Sequence, residues 1–128
     1  MANRMSNLAE PGTRWKAPRA RSAAHLRRIR LLPCLVPGCY RQAEAAHVRM
    51  PSAAHGKRGT GIGEKPDDAW VVPLCHHHHM AQHDAGERRF WAFHRIDPLE
   101  VATALHAATG LGVDAMNHLV DWVRSGRR

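Results

Sequence analysis

Hydrophobic residues recur at helical spacing in the C-terminal third of the chain. The run begins at Asp97-Pro98-Leu99-Glu100, where an N-cap aspartate, a proline at the first helical position and a glutamate at the third are typical of a helix start. Gly110 suits the end of this helix. A second stripe of helical period predicts a final helix over residues 114–124, formed by Met116, Leu119, Val120 and Val123. We expect both helices to be packing elements without chemistry of their own.

Upstream of residue 97 the apolar runs are shorter and interrupted. In "LLPCLVPGCY" (residues 31–40) two prolines exclude a helix interior, and "VPGC" is typical of a tight turn. "AEAAHVRM" (residues 43–50) suits the end of a strand or a helical turn equally well. "AWVVPLC" (residues 69–75) is rich in strand-forming residues and predicts a strand that ends at Pro73. Helical pieces are predicted from Cys75 or His76 to Asp84 and again over residues 86–96.

These elements predict an α+β fold with three parts. Residues 1–24 combine prolines and arginines with little periodicity and predict a flexible basic arm. Residues 25–96 form the predicted core, which contains a long glycine-rich loop at residues 51–66. Residues 97–128 form the helical pair that is expected to lie against this core.

The charge balance predicts the kind of partner. Nineteen Lys and Arg against 11 Asp and Glu give a net charge of +8, which indicates a polyanionic partner, most simply DNA, although a solvated basic surface is the alternative. No apolar stretch resembles a membrane span or a signal peptide. We therefore expect an intracellular, cytoplasmic protein without a membrane partner, in which three cysteines serve a metal rather than disulfides.

Structural zinc sites use four ligands, usually cysteine and histidine in two closely spaced pairs. Cys34 and Cys39 provide one pair on either side of the predicted turn. Cys75, the remaining cysteine, and His78 provide the other. The sequence therefore predicts a Cys3His zinc site, with free buried cysteines as the alternative.

The histidine run "HHHHMAQH" (residues 76–83) predicts more than one site. At about 100° per residue, Cys75 and His78 lie on one side of a helix, whereas His76, His79 and His83 lie on another. His79 and His83 are spaced i, i+4, so one helix face presents two imidazoles to a second metal.

The second metal needs a third group from outside the helix, for which the candidates are His47, Asp67 and Asp68. Such a mixed shell suits Zn, Mn, Ni or Mg. His77 points away from both sites and is expected to be idle, and His76 has no assigned role. A purification tag is the weaker alternative for the run, because tags lie at a terminus.

The order of these motifs resembles the HNH, or ββα-metal, nuclease superfamily. The shared features are a cysteine pair, "AAH" ending at His47, "GIGEKPDD" (residues 61–68), "PLCHHHHMAQH" (residues 73–83) and "GERRFW" (residues 86–91). The match is closest to small phage and prophage HNH proteins related to the Ref-type recombination nucleases. It covers residues 34–91.

This resemblance implies a small ββα-metal core, zinc-stabilised loops and phosphodiester hydrolysis. It implies that His47 is the general base and that His79 and His83 bind the catalytic metal, which would be Mg, Mn, Ni or Zn. Ala46 stands where many members carry a metal ligand. The third ligand is therefore open: Asp68 either binds the metal or orients His47, and Glu44 is a weaker candidate.

The expected activity is DNA cleavage with low sequence specificity. The cations expected to contact phosphates flank the predicted site, and they are Arg49, Lys57, Arg58 and Lys65. Their alternative is a solvated loop. A non-catalytic, zinc-stabilised DNA-binding accessory module is the competing prediction. A partner in recombination or phage replication is expected by analogy alone.

Overall fold

The computed structural model describes residues 20–61 and 64–126. Within them the elements run α1 (Ala23–Arg30), β1 (Glu44–His47), β2 (Val71–Leu74), α2 (His76–Ala85), α3 (Glu87–His94), α4 (Pro98–Ala108) and α5 (Val113–Arg124). Two short 3-10 turns, at Ala53–His55 and Thr109–Leu111, complete this order. The described residues therefore contain five α-helices and two strands, and the predicted α+β class is confirmed.

The two strands form an antiparallel sheet that leads directly into α2. His47 is opposite Val71 and Glu44 is opposite Leu74, so "AEAAH" is a strand rather than a helical turn. Every residue of β2 is buried, as expected for a continuous apolar run. Pro73 lies inside β2 and does not end it. A proline is tolerated there because both strands of a two-stranded sheet are edge strands.

The C-terminal helices were predicted almost to the residue. The Asp97 carboxylate accepts hydrogen bonds from the backbone N–H groups of Leu99 and Glu100 at 3.0 and 3.3 Å, which caps α4 as its sequence requires. Helix α5 begins at Val113, one residue before its predicted start. Met116 and Val120 of its apolar stripe are fully buried.

Helix α1 is an element that the sequence pattern did not reveal. Ser22 caps it by accepting a hydrogen bond from the His25 N–H at 3.2 Å. The Asp67 and Asp68 carboxylates accept hydrogen bonds from the Ala20 and Ser22 N–H groups, each at 2.8 Å. The last residues of the predicted arm are therefore part of the fold, and its residues 1–19 lie outside the described residues.

The core lies between the sheet, α1 and the two C-terminal helices. It includes fully buried Ile29 from α1, Val72 from β2 and Leu105 from α4. His25 is also fully buried, and its Nδ1 lies 2.9 Å from the Thr109 hydroxyl. Burial lowers the pKa of His25 to about 4, so this histidine is a neutral core residue. Among the helices of the described residues, none has the length and apolar character that crossing a bilayer requires.

Candidate metal centre and active site

The four predicted zinc ligands converge on one point. Cys34 and Cys39 lie in the turn after α1, and Cys75 and His78 lie at the start of α2. One ligand atom from each residue lies within 4.8 Å of all the others. The turn itself is closed by a hydrogen bond from the Cys39 N–H to the Val36 carbonyl at 3.1 Å, with Gly38 at a φ of +83°. The sequence prediction of a Cys3His cluster that can hold a metal such as zinc is confirmed.

The distances within the cluster match a tetrahedral zinc shell. Zn–S bonds of about 2.3 Å and Zn–N bonds of about 2.0–2.1 Å place ligand atoms about 3.8 Å apart for S···S and about 3.6 Å apart for S···N. Cys39 Sγ lies 3.8 Å from Cys75 Sγ. His78 Nδ1 lies 3.3 Å from Cys75 Sγ and 3.5 Å from Cys34 Sγ. The donor set therefore fits zinc in both type and spacing.

The protonation of the cluster matters for metal binding, because a ligand thiol must lose its proton and a ligand imidazole must be neutral. Burial raises the pKa of the Cys34 thiol to about 12, and the nearby sulfur atoms of Cys75 and Cys39 add to this increase. Burial also lowers the pKa of His78, which keeps its imidazole neutral as a ligand must be. A dication at the centre would stabilise the thiolate form of such a buried cysteine.

Arg124 at the end of α5 closes the turn that carries the first cysteine pair. Its guanidinium donates hydrogen bonds to the backbone carbonyls of Cys34, Cys39 and Val36. It also lies over the Tyr40 ring at 4.7 Å. The C-terminal helix thus fixes the backbone of the metal cluster, a role that sequence spacing does not reveal.

The opposite side of α2 faces an open cleft of about 550 Å³. His47 from the end of β1 and His79 and His83 from α2 all line it. These are the three histidines that the resemblance to HNH nucleases singled out. The fold brings them to one cleft although His47 is far from the other two in sequence. His79 is one-third exposed and His83 is exposed, so both imidazoles can be reached from solvent.

Asp68 lies behind His47 rather than in the cleft. Its Oδ1 is 2.9 Å from His47 Nε2, and its Oδ2 accepts the Ser22 N–H. Asp68 is 3 % exposed and does not line the cleft. Of the described residues, only the Cys3His set brings three or more potential ligands close enough for one ion. The structure thus brings Asp68 into contact with His47 and does not group it with His79 and His83, so its role as a metal ligand stays a prediction.

Glu44 bridges two histidines of the run. Its carboxylate accepts hydrogen bonds from His79 Nδ1 at 2.8 Å and from His76 Nδ1 at 3.0 Å. The hydrogen bond from His79 lowers the pKa of Glu44, with His76 contributing to the same effect. The sequence left His76 without a role, and the structure gives it one: it helps to hold the carboxylate that orients His79. Asp67, the other carboxylate considered, binds the Ala20 N–H.

The four predicted phosphate contacts divide into two pairs. Arg49 and Lys65 are exposed and line the cleft. Arg58 is exposed but forms an ion pair with Glu64 at 2.6 Å.

Lys57 does not fit its predicted role. It is 6 % exposed, and its ammonium donates hydrogen bonds to the Arg49 and Arg58 carbonyls at 3.0 and 3.4 Å. Burial lowers its pKa. Lys57 is therefore a loop-bracing residue, because its ammonium is directed at backbone oxygens instead of solvent.

Fold and site together define an α+β protein in which a Cys3His cluster that can hold a metal lies beside a histidine-lined cleft. A family model described as "Protein of unknown function (DUF968)" matches residues 9–112. Because this match covers most of the chain, the protein belongs to the DUF968 family. No curated protein and no solved structure matches the chain.

Proposed function

We propose that the protein is a metal-dependent endonuclease of the HNH, or ββα-metal, type that hydrolyses DNA phosphodiester bonds with little sequence specificity. One observation carries the proposal. His47, His79 and His83 line a single cleft together with the cations Arg49 and Lys65. A candidate base, candidate metal ligands and candidate phosphate contacts thus share one site, as the reaction requires.

The order of elements around the cleft supports this assignment. An antiparallel pair of strands is followed directly by α2, which is the arrangement that the resemblance to HNH nucleases implies. His47 lies at the end of the first strand, and His79 and His83 lie on the following helix. Each histidine therefore occupies the element on which the resemblance expects it.

The hydrogen bonds around the cleft favour an anionic substrate. Both carboxylates that line it already accept hydrogen bonds from the protein. Glu87 binds the backbone N–H groups of Arg49 and Met50 at 2.7 and 2.8 Å, and Glu64 binds Arg58 and the Gly61 N–H. Glu64 is paired with Arg58, and the described lining has three cations, Arg30, Arg49 and Lys65, against two carboxylates, so a positive surplus remains to attract phosphate.

Asp68 prepares His47 for proton transfer. A carboxylate accepts hydrogen bonds, so its contact with Nε2 holds the His47 proton on that nitrogen and leaves the lone pair on Nδ1. A neutral imidazole of this kind takes a proton from an attacking water. The carboxylate then stabilises the imidazolium that forms.

His79 and His83 would hold a divalent ion such as Mg, Mn, Ni or Zn, which supplies positive charge to the scissile phosphate. Two imidazoles on one helix face suit such an ion, and they leave positions open for substrate. Glu44 fixes the ring of His79 through Nδ1, which directs Nε2 away from the carboxylate.

Nicking of supercoiled plasmid with Mg²⁺, Mn²⁺ or Ni²⁺ tests the proposal. We expect the wild-type protein to nick the plasmid. His47→Ala should reduce the rate by about 10²-fold or more, the usual contribution of a general base. His77→Ala is the matched control, because His77 is exposed on α2 and does not line the cleft. Absence of nicking with every metal would reject the proposal.

One observation favours the alternative, a zinc-stabilised DNA-binding module without catalysis. Ala46 occupies the position where many HNH proteins carry a ligand, and Asp68 is committed to His47 and Ser22. Of the described residues, the two carboxylates that line the cleft, Glu64 and Glu87, already accept hydrogen bonds from the protein, so neither is committed to completing a metal shell with His79 and His83. DNA binding without nicking under any metal would support this second function.

A further inference from the structure

Helix α1 presents three distinct sides to its surroundings. His25 and Ile29 are fully buried in the core. Leu26 and Arg30, which are also four residues apart, line the cleft across from α2. Arg27 is exposed and does not line the cleft. One side of this basic helix therefore belongs to the cleft, although α1 precedes both strands.

The start of α1 is tied to the candidate general base. The Asp68 carboxylate that contacts His47 also accepts the Ser22 N–H at 2.8 Å, and Ser22 is the N-cap of α1. The Asp68 N–H donates to the Ala20 carbonyl at 2.9 Å. These bonds fix the helix relative to His47, so Arg30 in its last turn has a defined place in the cleft.

The Arg30 guanidinium is exposed where α1 borders the cleft. Within residues 20–61 and 64–126, its guanidinium takes part in none of the hydrogen bonds or ion pairs. Other arginines nearby differ: Arg28 donates to the Thr109 hydroxyl and Arg58 pairs with Glu64. An exposed guanidinium in a cleft that is rich in cations suits a phosphate, which it can bind through two parallel hydrogen bonds.

We propose that α1 is the second wall of the nucleic-acid cleft and that Arg30 binds a backbone phosphate of the DNA. This inference rests on the proposed function, since it takes the cleft between α1 and α2 as the place where DNA lies. It extends the DNA contact beyond the strands and α2, to a helix that the resemblance did not include. Arg30 then joins Arg49 and Lys65, so that α1, the end of β1 and the glycine-rich loop each supply a cation.

A salt titration of DNA binding tests the role of Arg30. Fluorescence anisotropy of a labelled mixed-sequence duplex, without added divalent metal, would compare wild type, Arg30→Ala, Arg30→Lys and Arg27→Ala. We expect Arg30→Ala to weaken binding on the order of tenfold, as loss of a charged hydrogen bond does. It should also reduce the slope of log affinity against log salt by about 1. Arg30→Lys should restore most of the slope, because the charge is retained.

Arg27→Ala is the matched control, because it removes the same charge from the same helix outside the cleft. Equal losses for the Arg27 and Arg30 variants would reject the proposal and indicate diffuse attraction to a basic helix. Unchanged binding by Arg30→Ala, with an unaltered melting temperature, would reject it as well. Plasmid nicking separates the nuclease proposal from the proposed DNA contact of Arg30. If the wild-type protein binds DNA but never cleaves it, the nuclease proposal fails, and the salt titration still decides whether Arg30 binds DNA.

Discussion

The two sides of α2 carry histidines in contrasting environments. On one side, His78 joins three cysteines in a cluster whose ligand atoms all lie within 4.8 Å of one another. On the other side, His79 and His83 border a cleft of about 550 Å³ that is open to solvent. The two sets of histidines are interleaved in one short run of sequence, yet the helix separates them.

The contrast distinguishes a closed site from an open one. Four donors that converge on one point leave no position for a substrate, which is typical of a metal that holds a fold together. Two imidazoles beside a cleft leave several positions vacant around an ion, which is typical of a metal that does chemistry. In our proposal, the same residue type therefore serves stability on one side and catalysis on the other.

The largest effect that we predict is loss of the closed site. Cys75→Ala should abolish zinc binding and lower the free energy of unfolding by more than about 5 kcal/mol, because structural zinc contributes its binding energy to folding. A loss of this size is comparable to the total stability of a small domain. Zinc content by elemental mass spectrometry and the thermal transition by circular dichroism would measure it.

His79→Ala is the matched variant on the open side, and it should keep both the zinc and the thermal transition. If Cys75→Ala and His79→Ala both removed the zinc, the two sides of α2 would form a single metal site. Retention of zinc by Cys75→Ala would equally contradict the separation.

A second prediction concerns the hydrogen bonds by which Arg124 of α5 supports the Cys3His cluster. Arg124→Ala removes the hydrogen bonds from α5 to the carbonyls of Cys34, Val36 and Cys39. We expect it to lower the free energy of unfolding by about 2 kcal/mol, the usual range for hydrogen bonds to a charged group. Urea denaturation would measure this loss, and transfer of zinc to a chelator should become faster.

Arg88→Ala is the control for this variant, because Arg88 is exposed on α3. Arg124→Lys should recover only part of the stability, since an ammonium does not reproduce the planar guanidinium. An Arg124 variant as stable as the Arg88 variant would mean that α5 does not support the cluster.

The smallest effect that we predict is a loss of metal affinity at His79 and His83, on the open side of α2. Glu44→Ala removes the carboxylate that accepts hydrogen bonds from His79 and His76. Carboxylates that orient metal-binding histidines typically contribute about tenfold to metal affinity. We expect a loss of this size when Mn²⁺ is titrated calorimetrically into the zinc-loaded protein.

Glu100→Ala, an exposed glutamate on α4, provides the comparison, and it should leave Mn²⁺ binding unchanged. Equal Mn²⁺ affinity of the Glu44 variant and wild type would show that His79 does not depend on this contact.

Local patterns predicted the elements and the ligands that lie close together in sequence. The sequence predicted the Asp97 cap, the apolar stripe of α5 and the two closely spaced ligand pairs. Each of these features depends on neighbours a few residues apart. Helix periodicity also separated His78 from His79. Helix α1 was missed, since its apolar positions are few and its start is held in place by a contact between Ser22 and the distant Asp68. Lys57 was misassigned for a similar reason, since its burial follows from loop packing.

The sequence by itself determined that three cysteines and one histidine form a cluster that can hold a metal and that two further histidines lie on another side of the same helix. The first result follows from two closely spaced ligand pairs, and the second follows from spacing along a regular helix. Only the tertiary structure decided that Asp68 supports His47, that Glu44 joins His76 to His79, and that Arg30 and Arg124 approach the two sites from opposite ends of the chain. These contacts join residues more than 20 positions apart, and their partners are fixed by how the helices pack around the sheet.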